Sequence, residues 1–191
     1  MVLYAMNALK KRRPDPQLIP EVLPIYNVIA KRFRLEPVTA VNVLPILANG
    51  HQVKGLLWMD RYDYHYCVFH AAGAELEFKI NPRTQVAEDA HFSPNTDPIT
   101  LKTLLSLALD SLRPMLYYSE IYVSAYEPKV QRILADLGFT ATGYIPGWEM
   151  VNGQREDRII FSWVRDLPAR GAMELTPKAQ EIVDLFLSIH P

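Results

Sequence analysis

The sequence predicts a mixed α/β (α+β) domain in which a twisted, mostly antiparallel sheet is flanked by helices. Residues 38–92 contain short, alternating, aromatic-rich runs divided by turn residues, which is typical of an antiparallel meander. Residues 97–137 then show two amphipathic helical segments on either side of an apolar run. With 191 residues and a hydrophobic share of 49%, the chain is the right size for one compact domain.

Helical segments are expected at both ends of the chain. Residues 1–37 are predicted as an N-terminal helical segment, because Val22, Ile25, Ile29 and Phe33 recur at helical spacing. The sheet domain is predicted for the remaining chain up to residue 166.

Two further predictions concern the termini. Residues 167–191 are expected to be a helical tail packed on the same domain, with one helix over 177–188. The basic run at residues 10–13 is expected to be a solvated arm, as charge runs near a terminus usually are.

The meander is predicted to contain four or five strands. Asn49-Gly50 is a strong hairpin signal between the first two of them, and turns are expected at 60–63 and 81–83. The predicted strands are 43–47, 53–59, 64–70, 75–80 and 86–92.

The second half of the chain has clear boundary signals. Asp97 is a good N-cap and Pro98 suits a first helical turn, so a helix is expected to begin there and run to residue 112. Gly138 is the expected stop of a second helix. Asn152-Gly153 predicts another hairpin. The remaining predicted elements are a buried strand at 121–123, the second helix at 128–137, and strands at 139–148 and 158–164.

Composition limits the classes of function. The 20 basic and 21 acidic residues nearly cancel, so no overall field favours nucleic acid or an anionic membrane. Cys67 is the only cysteine, which excludes an intrachain disulfide and favours a reducing compartment. No run approaches the ~20 apolar residues that span a bilayer, and a soluble cytoplasmic protein is expected. The five histidines fit neither a helical pair nor a zinc-finger spacing, so no metal site is expected.

One stretch resembles a known family. Residues 121–139 read as strand, splayed turn, helix and a terminal Leu137-Gly138-Phe139, and they resemble the GNAT superfamily of acyl-CoA N-acyltransferases. The likeness covers residues 52–164 by element order and 121–164 by recognisable residues. It implies a GNAT-like sheet and transfer of an acyl group from acyl-CoA to the amine of a small molecule or a protein.

The resemblance also implies a donor site. In the family, acyl-CoA is held where a central strand enters a glycine-rich loop at a helix N-terminus. This loop, residues 93–100, departs from that pattern, because it contains no glycine, two prolines and Asp97. The residues that the resemblance assigns to cofactor binding are His91, Phe92, Asn95, Thr96, Ile99 and Thr100.

The catalytic residues that the resemblance implies are Glu88 and Tyr126. Glu88 lies on the strand that lines the site and would act as base directly or through water, and alternation places it opposite His91. The family's usual tyrosine position falls on Leu134, so Tyr126 is the candidate replacement. The alternative is that Glu88 is a solvated strand-end side chain and Tyr126 a packing residue.

The predicted final hairpin contains the candidate acceptor site. Tyr144 and Trp148 would contact the acceptor through their rings, and Glu149 or Asp157 would bind its positive amine. Equally open is a surface ion pair between Asp157 and Arg158, with Trp148 covering an edge strand.

Two functions are therefore carried forward. The first is an acyl-CoA-dependent N-acyltransferase. The second is a domain that keeps the fold without catalysis and binds protein partners, for which the mixed charges permit a homodimer without requiring one.

Overall fold

The chain forms one mixed sheet with helices on its faces. Its computed structural model describes residues 9–49, 52–59 and 64–166, together with residues 176, 177 and 184. Within these residues the sheet has the order β1-β2-β3-β4-β5-β7-β6, with only β4 and β5 parallel. The predicted mixed, mostly antiparallel sheet is confirmed. The strands are β1 Lys54–Met59, β2 His65–Ala71, β3 Ala74–Asn81, β4 Val86–Phe92, β5 Tyr118–Ser124, β6 Thr140–Val151 and β7 Gln154–Val164.

Three α-helices accompany the described sheet: α1 Leu23–Phe33, α2 Pro98–Leu112 and α3 Pro128–Asp136. Helix α2 begins and ends at the predicted residues and packs on β2 and β3. The apolar residues of α2 form a broad stripe along the helix. Because this stripe is wider than a single row of side chains, several rows are buried against the sheet. The buried leucines and alanine of α2 are Leu101, Leu104, Leu105, Ala108, Leu109 and Leu112.

The two tight hairpins have a left-handed backbone at both of their central residues. Ala72 and Gly73 have φ of 49° and 78°, and Asn152 and Gly153 have φ of 49° and 81°. Positive φ at both central residues gives the turn whose twist matches the flanking strands. The hairpin predicted at Asn152-Gly153 is therefore confirmed.

The N-terminal chain is only partly helical and is not a free arm. Of residues 11–34, the α-helix covers Leu23–Phe33, a 3-10 helix covers Pro20–Val22, and residues 11–19 are irregular. Leu18 and Ile19 are fully buried, and the Gln17 N–H donates to the Ala125 carbonyl at 2.7 Å. The buried side chain of Gln131 holds this part from α3. Its Oε1 accepts from the Ile19 N–H at 3.1 Å, and its Nε2 donates to the Gln17 carbonyl at 2.9 Å. We call residues 11–19 the docked segment.

The first predicted strand is wrong. Residues 43–47 are irregular, and Leu44 and Leu47 are 85% and 80% exposed. Pro45 interrupts the run and lacks an N–H for a strand ladder, which alternation of apolar residues does not reveal. The predicted hairpin at Asn49-Gly50 loses its first strand, and Gly50 itself lies outside the described residues. The predicted turn at 60–63 and most of the predicted helix at 177–188 also lie outside them.

Replacing Gly138 tests the end of α3. Its φ is +84°, a left-handed conformation that costs an L-residue about 1–2 kcal/mol. We expect Gly138→Ala to lower the free energy of unfolding by that amount, measured by urea denaturation. Gly138→Asn is the matched control and should recover about half of the loss, because Asn tolerates this conformation better. Equal losses for Ala and Asn would contradict the conformational explanation.

Candidate active site at the splayed strands

A cleft opens where β4 and β5 diverge. The two parallel strands pair only at Val86 with Tyr118 and at Ala87 with Ser119. Beyond these pairs each strand continues without the other, while β5 stays paired with β7 from end to end. The divergence leaves a cleft of about 790 Å³. Its lining residues are Glu88, Ala90, His91, Phe92, Glu120, Tyr122, Glu127, Trp148, Glu149 and Arg158.

Two carboxylates lie at the apex of this cleft. Glu88 and Glu120 directly follow the last paired residues, Ala87 and Ser119, and both line the cleft. Lys79 is the cross-strand neighbour of Glu88, but its ammonium lies over the Tyr64 ring, 4.4 Å from the centroid. Among the described residues neither Glu88 nor Glu120 has an ion-pair partner, so the apex is suited to a positively charged group.

Two tyrosines fix the orientation of Glu120. The Tyr118 hydroxyl donates to Glu120 Oε2 at 2.9 Å, and the Tyr122 hydroxyl donates to Oε1 at 3.2 Å. Burial raises the pKa of Tyr118 to about 12, so its hydroxyl remains a donor. Glu120 and Tyr122 were not predicted as site residues, although alternation along β5 places residues 118, 120 and 122 on one face.

A bulge in β4 changes which side chains reach the cleft. Glu77 pairs with His91 and Lys79 with Glu88, so β4 has one more residue than β3 over this step. An inserted residue reverses the alternation beyond it. Glu88 and His91 therefore both line the cleft, and the prediction that they face opposite sides is wrong. The side chain of Asp89 lies outside the described part.

The rim of the cleft is acidic and carries one exposed indole. Trp148 is 58% exposed, and Glu149 forms an ion pair with Arg158. Glu127 is exposed at its edge, yet partial desolvation of its carboxylate raises its pKa, opposed by the charge of Arg158. Four carboxylates thus face one guanidinium and one imidazole, a balance that favours a cationic ligand.

Tyr144 and Asp157 were predicted to bind the acceptor. Both side chains are buried, and neither lines the cleft. Asp157 is fully buried and bonds the Arg12 guanidinium, the Tyr144 hydroxyl and the Gly147 N–H, the last at 2.8 Å. The Gly147 bond is possible because β6 bulges opposite Asp157, between Ile145 and Glu149. The alternative prediction of an Asp157–Arg158 ion pair is also wrong.

Electrostatics of this buried group favour a charged pair. Burial alone would lower the pKa of Arg12, but its hydrogen bond to Asp157 and the Asp157 charge outweigh burial and raise it. The pKa of Tyr144 is raised by burial and by the same carboxylate. Arg12 therefore stays a cation and Tyr144 a neutral donor, which leaves Asp157 no free charge for a ligand.

Tyr126 is bound to the docked segment. Its hydroxyl donates to the Arg13 carbonyl, and the Arg13 guanidinium lies 4.2 Å from its ring centroid. Arg13 also forms an ion pair of 2.5 Å with Glu156, whose second oxygen accepts from Ser124. Burial raises the pKa of Tyr126. The structure thus places Tyr126 outside the cleft lining, and the solvated arm predicted at residues 10–13 is wrong for Arg12 and Arg13.

The start of α2 does not fit a diphosphate. Asp97 Oδ1 accepts from the Ile99 N–H at 3.1 Å and from the Thr100 N–H at 3.0 Å, so the chain's own carboxylate occupies the donors that would bind an anion. The preceding loop is likewise committed, because the Ser93 N–H donates to the Glu75 carbonyl and the Thr96 N–H to the Ser93 carbonyl.

The six residues predicted to bind the cofactor are therefore divided between two places. His91 and Phe92 line the cleft, whereas the other four lie in the closed loop and helix start. Asn95 has a φ of 59°, and the Thr96 hydroxyl donates to the Ser93 carbonyl at 2.7 Å. Ile99 is 47% exposed, and Thr100 is buried.

Comparison with solved structures returns GNAT acetyltransferases. The spermidine/spermine N-acetyltransferase SpeG from Vibrio cholerae, in mutant forms, shares 21% identity over 53% of this chain and 67% of its own, with a TM-score of 0.45. The spermidine N-acetyltransferase from Vibrio cholerae in complex with CoA and spermine shares 21% over 53% and 66%, with a TM-score of 0.45. RimL, an alpha-N-protein acetyltransferase of a ribosomal protein, shares 15% over 56% and 73%, also at 0.45.

The structural likeness covers about half of this chain, and the chain spans about two thirds of the length of the two Vibrio structures. No family model and no curated protein matches the sequence. In the part of the chain that the structure describes, no helix is long and apolar enough to cross a membrane. The same residues contain no cluster of three or more His, Cys, Asp or Glu side chains that could hold a metal ion.

Removing Arg12 tests the buried ion pair. Deleting one partner of a buried pair leaves an uncompensated charge, which costs about 3–5 kcal/mol. We expect Arg12→Met to lower the free energy of unfolding by that amount, measured by urea denaturation. Arg158→Met is the matched control, because its ion pair with Glu149 is exposed and should contribute no more than about 1 kcal/mol. Similar losses for both variants would contradict the assignment of Arg12 to the core.

Proposed function

We propose that the cleft between β4 and β5 is the active site of an N-acyltransferase that acylates the amine of a small molecule or a protein. The single observation that carries the proposal is the divergence of two parallel strands directly beyond Ala87 and Ser119. It exposes the unpaired edges of both strands to a ligand, in a fold whose other described strand pairs run without such a gap.

The lining residues support a cationic acceptor. Glu88 and Glu120 would hold its ammonium at the apex, and Trp148 would cover it at the rim through a cation–π contact. Glu149, paired with Arg158, would limit the width of the entrance. A protein or small-molecule amine that carries a positive charge is the substrate class that this arrangement favours.

The reaction assigns a role to each apex carboxylate. Glu88 would take a proton from the ammonium, directly or through water, and Glu120 would orient the amine. The free amine nitrogen then bonds to the carbonyl carbon of a thioester, the carbon–sulfur bond breaks, and sulfur leaves with the electron pair. The sulfur takes up the second proton, which the nitrogen loses as the amide forms. The bulge in β4 supplies a backbone residue outside the ladder that could bond the carbonyl oxygen. Tyr126 is left out, because its hydroxyl donates to the Arg13 carbonyl.

A second candidate is a binding module without catalysis. The observation that favours it is the α2 start, where Asp97 occupies the N–H groups of Ile99 and Thr100. In that case the acidic cleft would hold a cationic segment of a protein partner, and no acyl group would be transferred. The two candidates differ in turnover and not in amine binding.

Substituting the apex carboxylates tests the proposal. We expect Glu88→Gln to lower kcat/KM about 100-fold, because a positioned base commonly contributes 10²–10⁴-fold. Glu120→Gln should lower it by a similar factor, because a misplaced substrate can cost about 100-fold. Thiol release would be measured with 1,4-diaminobutane and a lysine-containing peptide as acceptors, and with acetyl-CoA and S-acetyl-pantetheine as donors. Asp110→Asn is the matched control, since Asp110 is exposed on α2 and does not line the cleft.

The outcomes separate the two candidates. Turnover that is lost in both Gln variants and kept in Asp110→Asn supports the acyltransferase. If neither donor is consumed while the amines bind, and that binding weakens in Glu120→Gln, the binding module is correct. Turnover that survives both substitutions would place the chemistry elsewhere.

A further inference from the structure

We infer that the acyl donor of this protein is a pantetheine thioester that is recognised without a nucleoside diphosphate. The inference rests on the proposed function and specifies the chemistry of its donor. The gap between β4 and β5 is open to a donor arm. The start of α2, where the family resemblance places the diphosphate, is closed by Asp97.

The start of α2 excludes a diphosphate through hydrogen bonding and charge, and not merely through steric hindrance. A diphosphate at a helix N-terminus needs free N–H groups and tolerates no fixed anion beside them. Here Asp97 supplies that anion and takes two of the N–H groups, and Leu101 donates to the Asp97 carbonyl at 2.9 Å. Pro94 and Pro98 have no N–H to offer. A second anion would have to displace a carboxylate that is tethered to the helix.

The charges that line the cleft also disfavour a nucleotide. Its carboxylates Glu88, Glu120 and Glu127 would repel the phosphates of a nucleotide, and Arg158 is already paired with Glu149. A pantetheine arm is uncharged and contains two amide groups. Such an arm can bond to the unpaired strand edges on both sides of the gap, as an added strand would. The affinity for the donor would therefore come from backbone bonds along the arm.

A donor series tests this inference on the full chain. The donors are acetyl-CoA, S-acetyl-pantetheine and an acyl carrier protein with an acetylated phosphopantetheine arm, with 1,4-diaminobutane as acceptor. We expect kcat/KM for S-acetyl-pantetheine to lie within about 3-fold of that for acetyl-CoA, because the diphosphate forms no charge-assisted bonds. Calorimetric titration with CoA and pantetheine should give dissociation constants within the same factor. A higher rate with the carrier protein than with S-acetyl-pantetheine would identify a protein-bound arm as the source.

Substituting Asp97 tests the cause. Asp97→Ala frees both N–H groups, so we expect kcat/KM for acetyl-CoA to rise about 10-fold while that for S-acetyl-pantetheine changes by less than about 2-fold. Asp97→Asn keeps the cap without its charge and serves if the alanine variant is unfolded by circular dichroism. Its gain with acetyl-CoA should be smaller, about 3-fold. Asp110→Ala, which removes an exposed carboxylate from the same helix, should change neither rate.

The outcomes that overturn the inference are distinct from failure of the proposed function. A preference for acetyl-CoA of about 100-fold or more in rate or affinity overturns the inference and leaves the acyltransferase standing. A preference that is unchanged in both Asp97 variants overturns the role of the cap. If no donor is bound and none is consumed, both the inference and the proposed function fail.

Discussion

The structure depends on the burial of one carboxylate. Asp157 has no exposed surface, and a buried carboxylate is stable only when it is paired and fully hydrogen-bonded. The partners come from three places: Arg12 in the docked segment, Tyr144 in β6 and the Gly147 N–H in the β6 bulge. One side chain on β7 therefore fixes both the bulge of its neighbouring strand and the course of the N-terminal chain.

The shape of the cleft follows from that arrangement. With the docked segment in place, the backbone of Ala125 bonds on both sides, accepting from Gln17 and donating to the Asp157 carbonyl. Ala125, directly after β5, thus satisfies its backbone N–H and carbonyl without β4, and the next residue, Tyr126, is bound to Arg13. The backbone directly after β5 therefore needs no partner from β4 where the two strands diverge.

Backbone hydrogen bonding also differs between the two places where the proposed acyl donor would bind, the start of α2 and the gap between β4 and β5. At α2 the chain satisfies its first N–H groups itself through Asp97, as the N-cap residue in the sequence predicted. Between β4 and β5 it leaves the strand edges unpaired. A ligand can add bonds at the edges but has to compete for them at the helix. This contrast depends on local hydrogen bonds, which the family resemblance in the sequence does not reveal.

The sequence by itself determined the elements whose signals are local. Asp97-Pro98 set the start of α2, Gly138 ended the second predicted helix, Asn152-Gly153 made the hairpin, and alternation located β4 to the residue. Only the tertiary structure decided the site, because its determinants are pairings between distant residues. The Arg12–Asp157 pair spans 145 positions, the β4 bulge appears only against β3, and Glu120 is a candidate only where β5 leaves β4. Periodicity predicts on which face of a strand or helix a side chain lies. Its partner on that face depends on tertiary packing, which the local sequence does not encode.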